Sequence, residues 1–287
     1  MNATGARRDA WLTWTTRAGG VVAGALTLLV FVFLVGETLP LFLKIPPHHL
    51  FVDARWSPRD GEIGLVPMMV GSALVTLGAM VLSTPTGIAV AALSAFFAPR
   101  GVAVVLRGVL GILAGVPSVV YGLWGLTVLV PLIHAVRAPG VSLLAAILVL
   151  ALMILPTMAL LADATFRAVP VDEMRAATAL GLSRCAAVLH VALPRARTGL
   201  VTASILQVGR AVGETMAIIM VMGNTIQVPK GPFEPARALT SHIALEMAYA
   251  LGDHRRGLFA AGLLLLVVVV GLVALVDRIE SRHRLIA

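Results

Sequence analysis

Two ionisable residues stand inside a stretch that should carry none. Arg210 and Glu214 are the only charges between residues 199 and 226, in the string Gly209-Arg210-Ala211-Val212-Gly213-Glu214-Thr215. On a continuous helix, residues four apart share one face. Ionised groups at membrane depth are costly unless they pair or meet water, so they are functional candidates by default. Two readings follow. The pair is a structural ion pair that locks helices together, or Arg210 offers positive charge to an anion crossing the membrane. In the second reading Glu214 holds the arginine and limits binding strength, so that the cargo is released. Gly209 and Gly213 form a Gly-xxx-Gly pair that admits a close neighbouring helix.

A second informative segment is 172–195. Asp172 to Ala179 is mostly helix-forming, and Gly181 is suited to a helix C-cap. Ser183 can then cap a second short helix over about 184–192. Pro194 is expected to stop that helix. The product is a helix-turn-helix at the membrane surface, with Ala177, Leu180, Leu182, Ala186, Leu189 and Leu193 available for packing. The plainer alternative is a hairpin that only joins two spans.

The elements that position these groups follow from composition. Of 287 residues, 59% are hydrophobic and 13% charged, against about 25% charged in soluble domains. A mean hydropathy of +0.97 agrees. The solvent of such a chain is the lipid bilayer. The net charge of +8 does not signal nucleic acid, because the basic residues fall in short clusters between apolar runs, without a basic face or aromatic platform. The lone Cys185 excludes an intrachain disulfide, and the seven histidines show no metal spacing.

Six spans are expected, at about 18–43, 68–98, 104–133, 141–162, 199–226 and 257–277, giving an all-α membrane protein. Arg7, Arg8 and Arg17 ahead of the first apolar run resemble a signal peptide. The run continues past Glu37 with no clear cleavage site, so it reads as an uncleaved membrane helix. The second span contains Ser83-Thr84-Pro85-Thr86-Gly87 and reads as one long helix. Pro117 is expected to kink the third span and serve its packing. With both termini inside, thirteen basic residues fall on the cytoplasmic side and eight outside, which favours that orientation.

Ala176, Ala177, Gly181, Val191, Leu193 and Pro194 match a spacing that resembles the EAA loop of ABC-importer permeases. In that family the loop docks into a cleft on a cytoplasmic ATPase. Arg175 stands where the family usually has Glu. The third-span string Gly115-Val116-Pro117-Ser118-Val119-Val120-Tyr121-Gly122-Leu123-Trp124-Gly125-Leu126 and the fifth-span string from Gly209 through Thr225 are similar to the PstC-type permease subunits of phosphate ABC transporters. The resemblance covers about 50–277. It implies a type I ABC importer permease fold and transport roles for Arg210 and Glu214. It implies as partners a PstA-type sister permease, a PstB-type ATPase dimer and a periplasmic phosphate-binding protein. No cofactor is expected on this chain. Neither lysine, Lys44 or Lys230, has a phosphate-loop context, so ATP would be used by a partner. The domains read as 1–67 (tail, first helix and periplasmic loop), 68–277 (permease domain with its coupling loop at 172–195) and 278–287 (cytoplasmic tail). Alternatives left open are a permease for molybdate or sulfate, a secondary transporter or channel working without ATP, and a structural or sensory subunit.

Overall fold

The structure, a computed structural model, describes residues 3–284. Among these, five helices are long and apolar enough to cross a membrane: Trp11–Phe42, Val66–Phe97, Ser118–Val136, Leu143–Arg167 and Gly252–Ile279. The remaining expected span, 199–226, is a broken pair of helices. The described residues are mostly helical, with one two-stranded hairpin.

The first helix, α1 (Ala3–Phe42), stands beside the bundle and packs along the last helix, α13 (Gly252–Arg284). The two run antiparallel: Phe33 meets Phe259 edge-to-face at 5.5 Å, and Lys44 pairs with Asp253 at 2.8 Å. Leu28, Leu29 and Val32 of α1 lie exposed, as lipid permits and water would not. The expected N-terminal tail is helical from Ala3, and Met1 and Asn2 lie outside the described residues. The expected tail at 278–287 is likewise helical through Arg284, and its last three residues lie outside the described ones.

Between α1 and the bundle lie α2 (Pro47–Val52) and a hairpin of β1 (Trp56–Ser57) with β2 (Glu62–Ile63), in which Trp56 opposes Ile63. Then α3 (Val66–Ala92) runs on through a π-turn at Leu93–Phe97, so the long second span holds as one helix. Pro85 lies within it without breaking it. Close packing on α7 (Leu143–Arg167) stabilises the continuous form: a Cβ at Gly78 would sit 2.6 Å from Ile147, and one at Gly87 would sit 2.8 Å from Met158. Leu150, Met153, Ile154 and Met158 of α7 are fully buried, so α7 is the central post of the core.

The third span departs from expectation. It is α4 (Arg100–Gly115), a break at Val116–Pro117, then α5 (Ser118–Trp124), a π-turn at Gly125–Leu129 and α6 (Val130–Val136). Pro117 therefore separates two helices instead of kinking one, and its side chain is exposed instead of packed. The reason is steric: a proline forces its predecessor into an extended conformation, and Val116 has ψ 129. Close packing falls instead to Gly122, against Ala217, and to Gly125, against Val149 and Val221.

The fifth span is also broken. α10 (Leu193–Val212) ends at Gly213, and α11 (Met216–Val221) starts after Thr215. Beyond it a loop leads through a parallel bridge between Gly223 and Ala236 to α12 (Leu239–Glu246).

Candidate functional site: a broken helix and a surface hairpin

The break at Gly213–Thr215 changes the geometry of the expected ion pair. No ion pair or hydrogen bond joins Arg210 to Glu214 among the described residues. Arg210 ends the last full turn of α10, whereas Glu214 turns forward: its Oε1 accepts the N–H of Ala217 at 3.1 Å and caps α11. The backbone carbonyl of Glu214 accepts the hydroxyl of Thr240 at 2.7 Å. Arg210 is left exposed, within electrostatic reach of Tyr121 and without a hydrogen-bonded counter-ion.

The Gly-xxx-Gly pair is not used for packing among the described residues. A Cβ at Gly209 would meet nothing within 4 Å, and one at Gly213 would meet only carbonyls of its own helix. No helix among the described residues approaches that pair. Gly209, Arg210 and Gly213 form one open face at the end of α10. Arg210 lies 13 residues beyond Arg197, or about 20 Å along the helix axis, deep relative to a hydrocarbon core of about 30 Å. Lipid is a poor neighbour for such a face.

At the opposite end of α10 lies the predicted helix-turn-helix. α8 (Val171–Ala179) ends at Gly181, whose φ of +85 is the left-handed cap conformation. The Ser183 hydroxyl accepts the N–H of Ala186 at 3.2 Å and starts α9 (Arg184–Ala187). These two caps are as expected. Pro194 does not stop the second helix. A π-turn at Val188–Ala192 shifts the bonding so that Leu193 N–H reaches Val188, and the helical run continues into α10 with Pro194 in its first turn. The hairpin is thereby a direct extension of the helix that carries Arg210.

The other hairpin residues divide by exposure. Ala177 is buried, while Ala176, Leu180 and Leu189 face outward, so Leu180 and Leu189 do not pack within this chain. Val191 and Leu193 are half-buried and Pro194 is exposed. Arg175 is exposed and pairs with Asp172 at 3.3 Å. Glu173 reaches Arg195 at 3.3 Å, tying α8 to the start of α10. Glu173, His190, Val191, Pro194 and Arg197 line a shallow groove beside this pair.

Two charged clusters escaped the sequence reading. Near the hairpin end, Asp163 of α7 is buried, and its Oδ2 accepts from Arg107 Nε of α4 at 3.0 Å and Arg167 Nε at 2.8 Å. An acid four residues before an arginine in an apolar helix was the available signal. At the other end, Glu246 accepts from Arg237 at 2.6 Å and Trp56 Nε1 at 2.9 Å, and its Oε2 lies 2.8 Å from His254 Nε2. His242, fully buried, lies against this cluster. Trp56 lies 190 residues before Glu246, and no spacing rule joins it to Arg237, Glu246 and His254.

A family model described as "Binding-protein-dependent transport system inner membrane component" matches residues 83–285. The chain belongs to that family. It is a multi-pass inner-membrane protein and the permease component of an ABC importer. Among curated relatives, a "Probable ABC transporter permease protein YqgH" from Bacillus subtilis is 34% identical over 92% of this chain and 87% of its own length. A "Phosphate transport system permease protein PstC" from Haemophilus influenzae is 30% identical, covering 89% of this permease and 90% of the relative. The PstC of Mesorhizobium japonicum is 29% identical over 96% and 91%. Among solved structures, a bacterial alginate ABC transporter in complex with its periplasmic protein aligns over 96% of both chains with a TM-score of 0.67 at 13% identity. The MetNI methionine ABC transporter aligns over 79% of this permease and 99% of that chain, with a TM-score of 0.59 at 18% identity. The type I importer fold follows from this likeness.

Proposed function

We propose that this permease carries inorganic phosphate through a pathway that includes Arg210. The observation that carries the proposal is an exposed arginine, about 20 Å along α10 from Arg197, without a hydrogen-bonded counter-ion and beside a Gly209–Gly213 face that no neighbouring element covers among the described residues. A permanent cation there attracts an anion without the tight, many-pointed grip that would prevent release. Glu214 limits that attraction through its charge and shapes the site by capping α11. The PstC relatives, similar over most of the chain, support phosphate as the anion.

In this reading the open Gly209–Arg210–Gly213 face meets a PstA-type sister permease, and the water path runs between the two. The hairpin at 172–195 lies on the cytoplasmic side, with both termini, and docks on a PstB-type ATPase dimer. Arg175, Ala176, Ala177, Gly181, Val191, Leu193 and Pro194 form that coupling element. Because the hairpin continues into α10, closure of the ATPase would move the helix bearing Arg210 as one piece. A periplasmic phosphate-binding protein delivers the cargo at the opposite end. The transport unit is assigned to 68–277, and the chain itself hydrolyses no nucleotide and carries no cofactor.

Labelled phosphate uptake in vesicles holding the complete complex tests the proposal. Arg210→Ala is expected to reduce ATP-dependent uptake by about 100-fold or more at equal complex abundance, the scale of a lost charge contact of about 3 kcal/mol. Normal uptake by the variant would remove Arg210 from the pathway. Uptake of sulfate or molybdate in place of phosphate would keep the site and change its cargo.

A further inference from the structure

The six-residue α11, which borders the Arg210–Glu214 break, is too short to hold itself in place. Besides the Glu214 cap on Ala217, both of its ends are held by residues that follow it in the chain. At its start, Thr240 of α12 donates to the carbonyl of Glu214 at 2.7 Å. At its end, the Asn224 side chain donates to the carbonyl of Ile219 at 2.7 Å, and Asn224 itself is held with φ +54, a left-handed conformation. The Asn224 carbonyl in turn accepts from Arg237 Nε at 2.8 Å. Ala236 N–H binds the carbonyl of Met222 at 3.0 Å. One segment, 236–240, therefore grips both ends of α11.

That segment is itself anchored. A Cβ at Gly71 of α3 would lie 2.3 Å from the Arg237 carbonyl, so only glycine permits the approach. The Leu239 N–H binds Ser72 Oγ at 2.8 Å. The Arg237 guanidinium spans two elements, with Nε on Asn224 and one terminal nitrogen on Glu246 at 2.6 Å. Glu246 is 8% exposed at its side chain and accepts from Trp56 of the β-hairpin at the same time. Buried charge-assisted hydrogen bonds of this kind are stiff and directional.

We infer that Arg237 and Glu246 are positioning residues for transport: through Asn224 and Thr240 they fix α11, and so fix where the α10–α11 break places Arg210 and Glu214. The inference rests on the proposed role of that break in the pathway. Neither residue touches the cargo. They act from the end of the molecule opposite the coupling hairpin.

The test uses the complete complex with its ATPase and binding protein in vesicles, measuring cargo moved per ATP hydrolysed. Arg237→Lys keeps a positive charge but cannot span Asn224 and Glu246 together. Thr240→Val removes the grip at the other end of α11, and Lys44→Gln is a control in an ion pair on the same side outside the cluster. Arg237→Lys is expected to lower the ratio about tenfold, the factor of one lost charge-assisted hydrogen bond. Thr240→Val is expected to lower it severalfold, and Lys44→Gln to leave it within about twofold. Because both grips act on one helix, the double variant is expected to fall no further than about the worse single one. Ratios that stay at the wild-type value, or losses that track only the amount of assembled complex, would overturn the inference. Losses that multiply in the double variant would overturn it too. If the wild-type complex moves a cargo other than phosphate, the same ratios are read with that cargo. Failure of the phosphate reading is then distinct from failure of this one.

Discussion

Acidifying the side of the molecule that carries α12 should loosen the segment around His242. This imidazole is fully buried, and burial is the main cause that pushes its pKa from 6.5 down to about 4. Glu246 pulls it up, and Arg237 and His254 add to the fall. Geometry agrees: the Arg237 terminal nitrogen lies 3.3 Å from His242 Nδ1, so Nδ1 must accept and the proton sits on Nε2, which has no partner among the described residues. Folded protein thus holds His242 neutral while the opened segment protonates it near 6.5. The opened state binds more protons, so stability falls as pH falls from about 6.5 toward 4. Between pH 7.5 and pH 5 the two pKa values give a loss of about 2 kcal/mol, or roughly a 30-fold rise in the opened population. Burial works against charge on Glu246, but His242 and hydrogen bonds from His254, Trp56 and Arg237 outweigh it and hold its carboxyl below the usual range. Its own contribution is therefore lost only at still lower pH. Amide hydrogen exchange over 223–251, in lipid discs and corrected for intrinsic rates, reads the opening directly. His242→Phe keeps a ring to meet Trp56, which contacts His242 edge-on at 4.3 Å, and should flatten the dependence between pH 7.5 and 5. An equal pH slope in wild type and His242→Phe would refute the reasoning.

Two further outcomes follow from packing. Asp163→Ala should destabilise the permease by about 3 kcal/mol, because it leaves Arg107 and Arg167 facing each other across a site whose carboxylate was buried; thermal unfolding of the purified protein against Asp163→Asn measures it, and a loss confined to ~0.5 kcal/mol would show the cluster to be a surface-like pair. Gly122→Ala should cost about 1–3 kcal/mol and displace α11, since the new Cβ would lie 2.8 Å from the Ala217 backbone; an unchanged melting temperature would show that α5 and α11 separate without cost.

The sequence was most legible where one residue type does one local job. Gly181 and Ser183 mark the hairpin because a left-handed cap and an N-cap hydroxyl are decided within a few residues. The first, second, fourth and last spans were legible because lipid demands long apolar runs. Helix continuity was not. Pro85, Pro117, Pro156 and Pro194 look alike in sequence, yet Pro117 separates two helices, Pro194 opens one behind a π-turn, and the other two sit within helices. What separates them is tertiary packing and the bonding of the preceding turn, neither of which is a property of the proline. The spacing of Arg210 and Glu214 implied a shared face only on the assumption of one helix, and the break at Gly213 removed that assumption. The Glu246 cluster was illegible because its members meet only after folding.

The three charged groups that result explain one another. Glu246 at one end and Asp163 at the other carry more than one donor each, with the arginines they hold drawn from different elements. Those are the arrangements expected of charges that serve structure, since an uncompensated buried ion would cost more than the fold can bear. Arg210, between them in depth, has no such partner among the described residues, and its nearest acid is committed to capping α11. In the proposed reading, water, a sister subunit or the cargo supplies the counterpart that Arg210 lacks among the described residues.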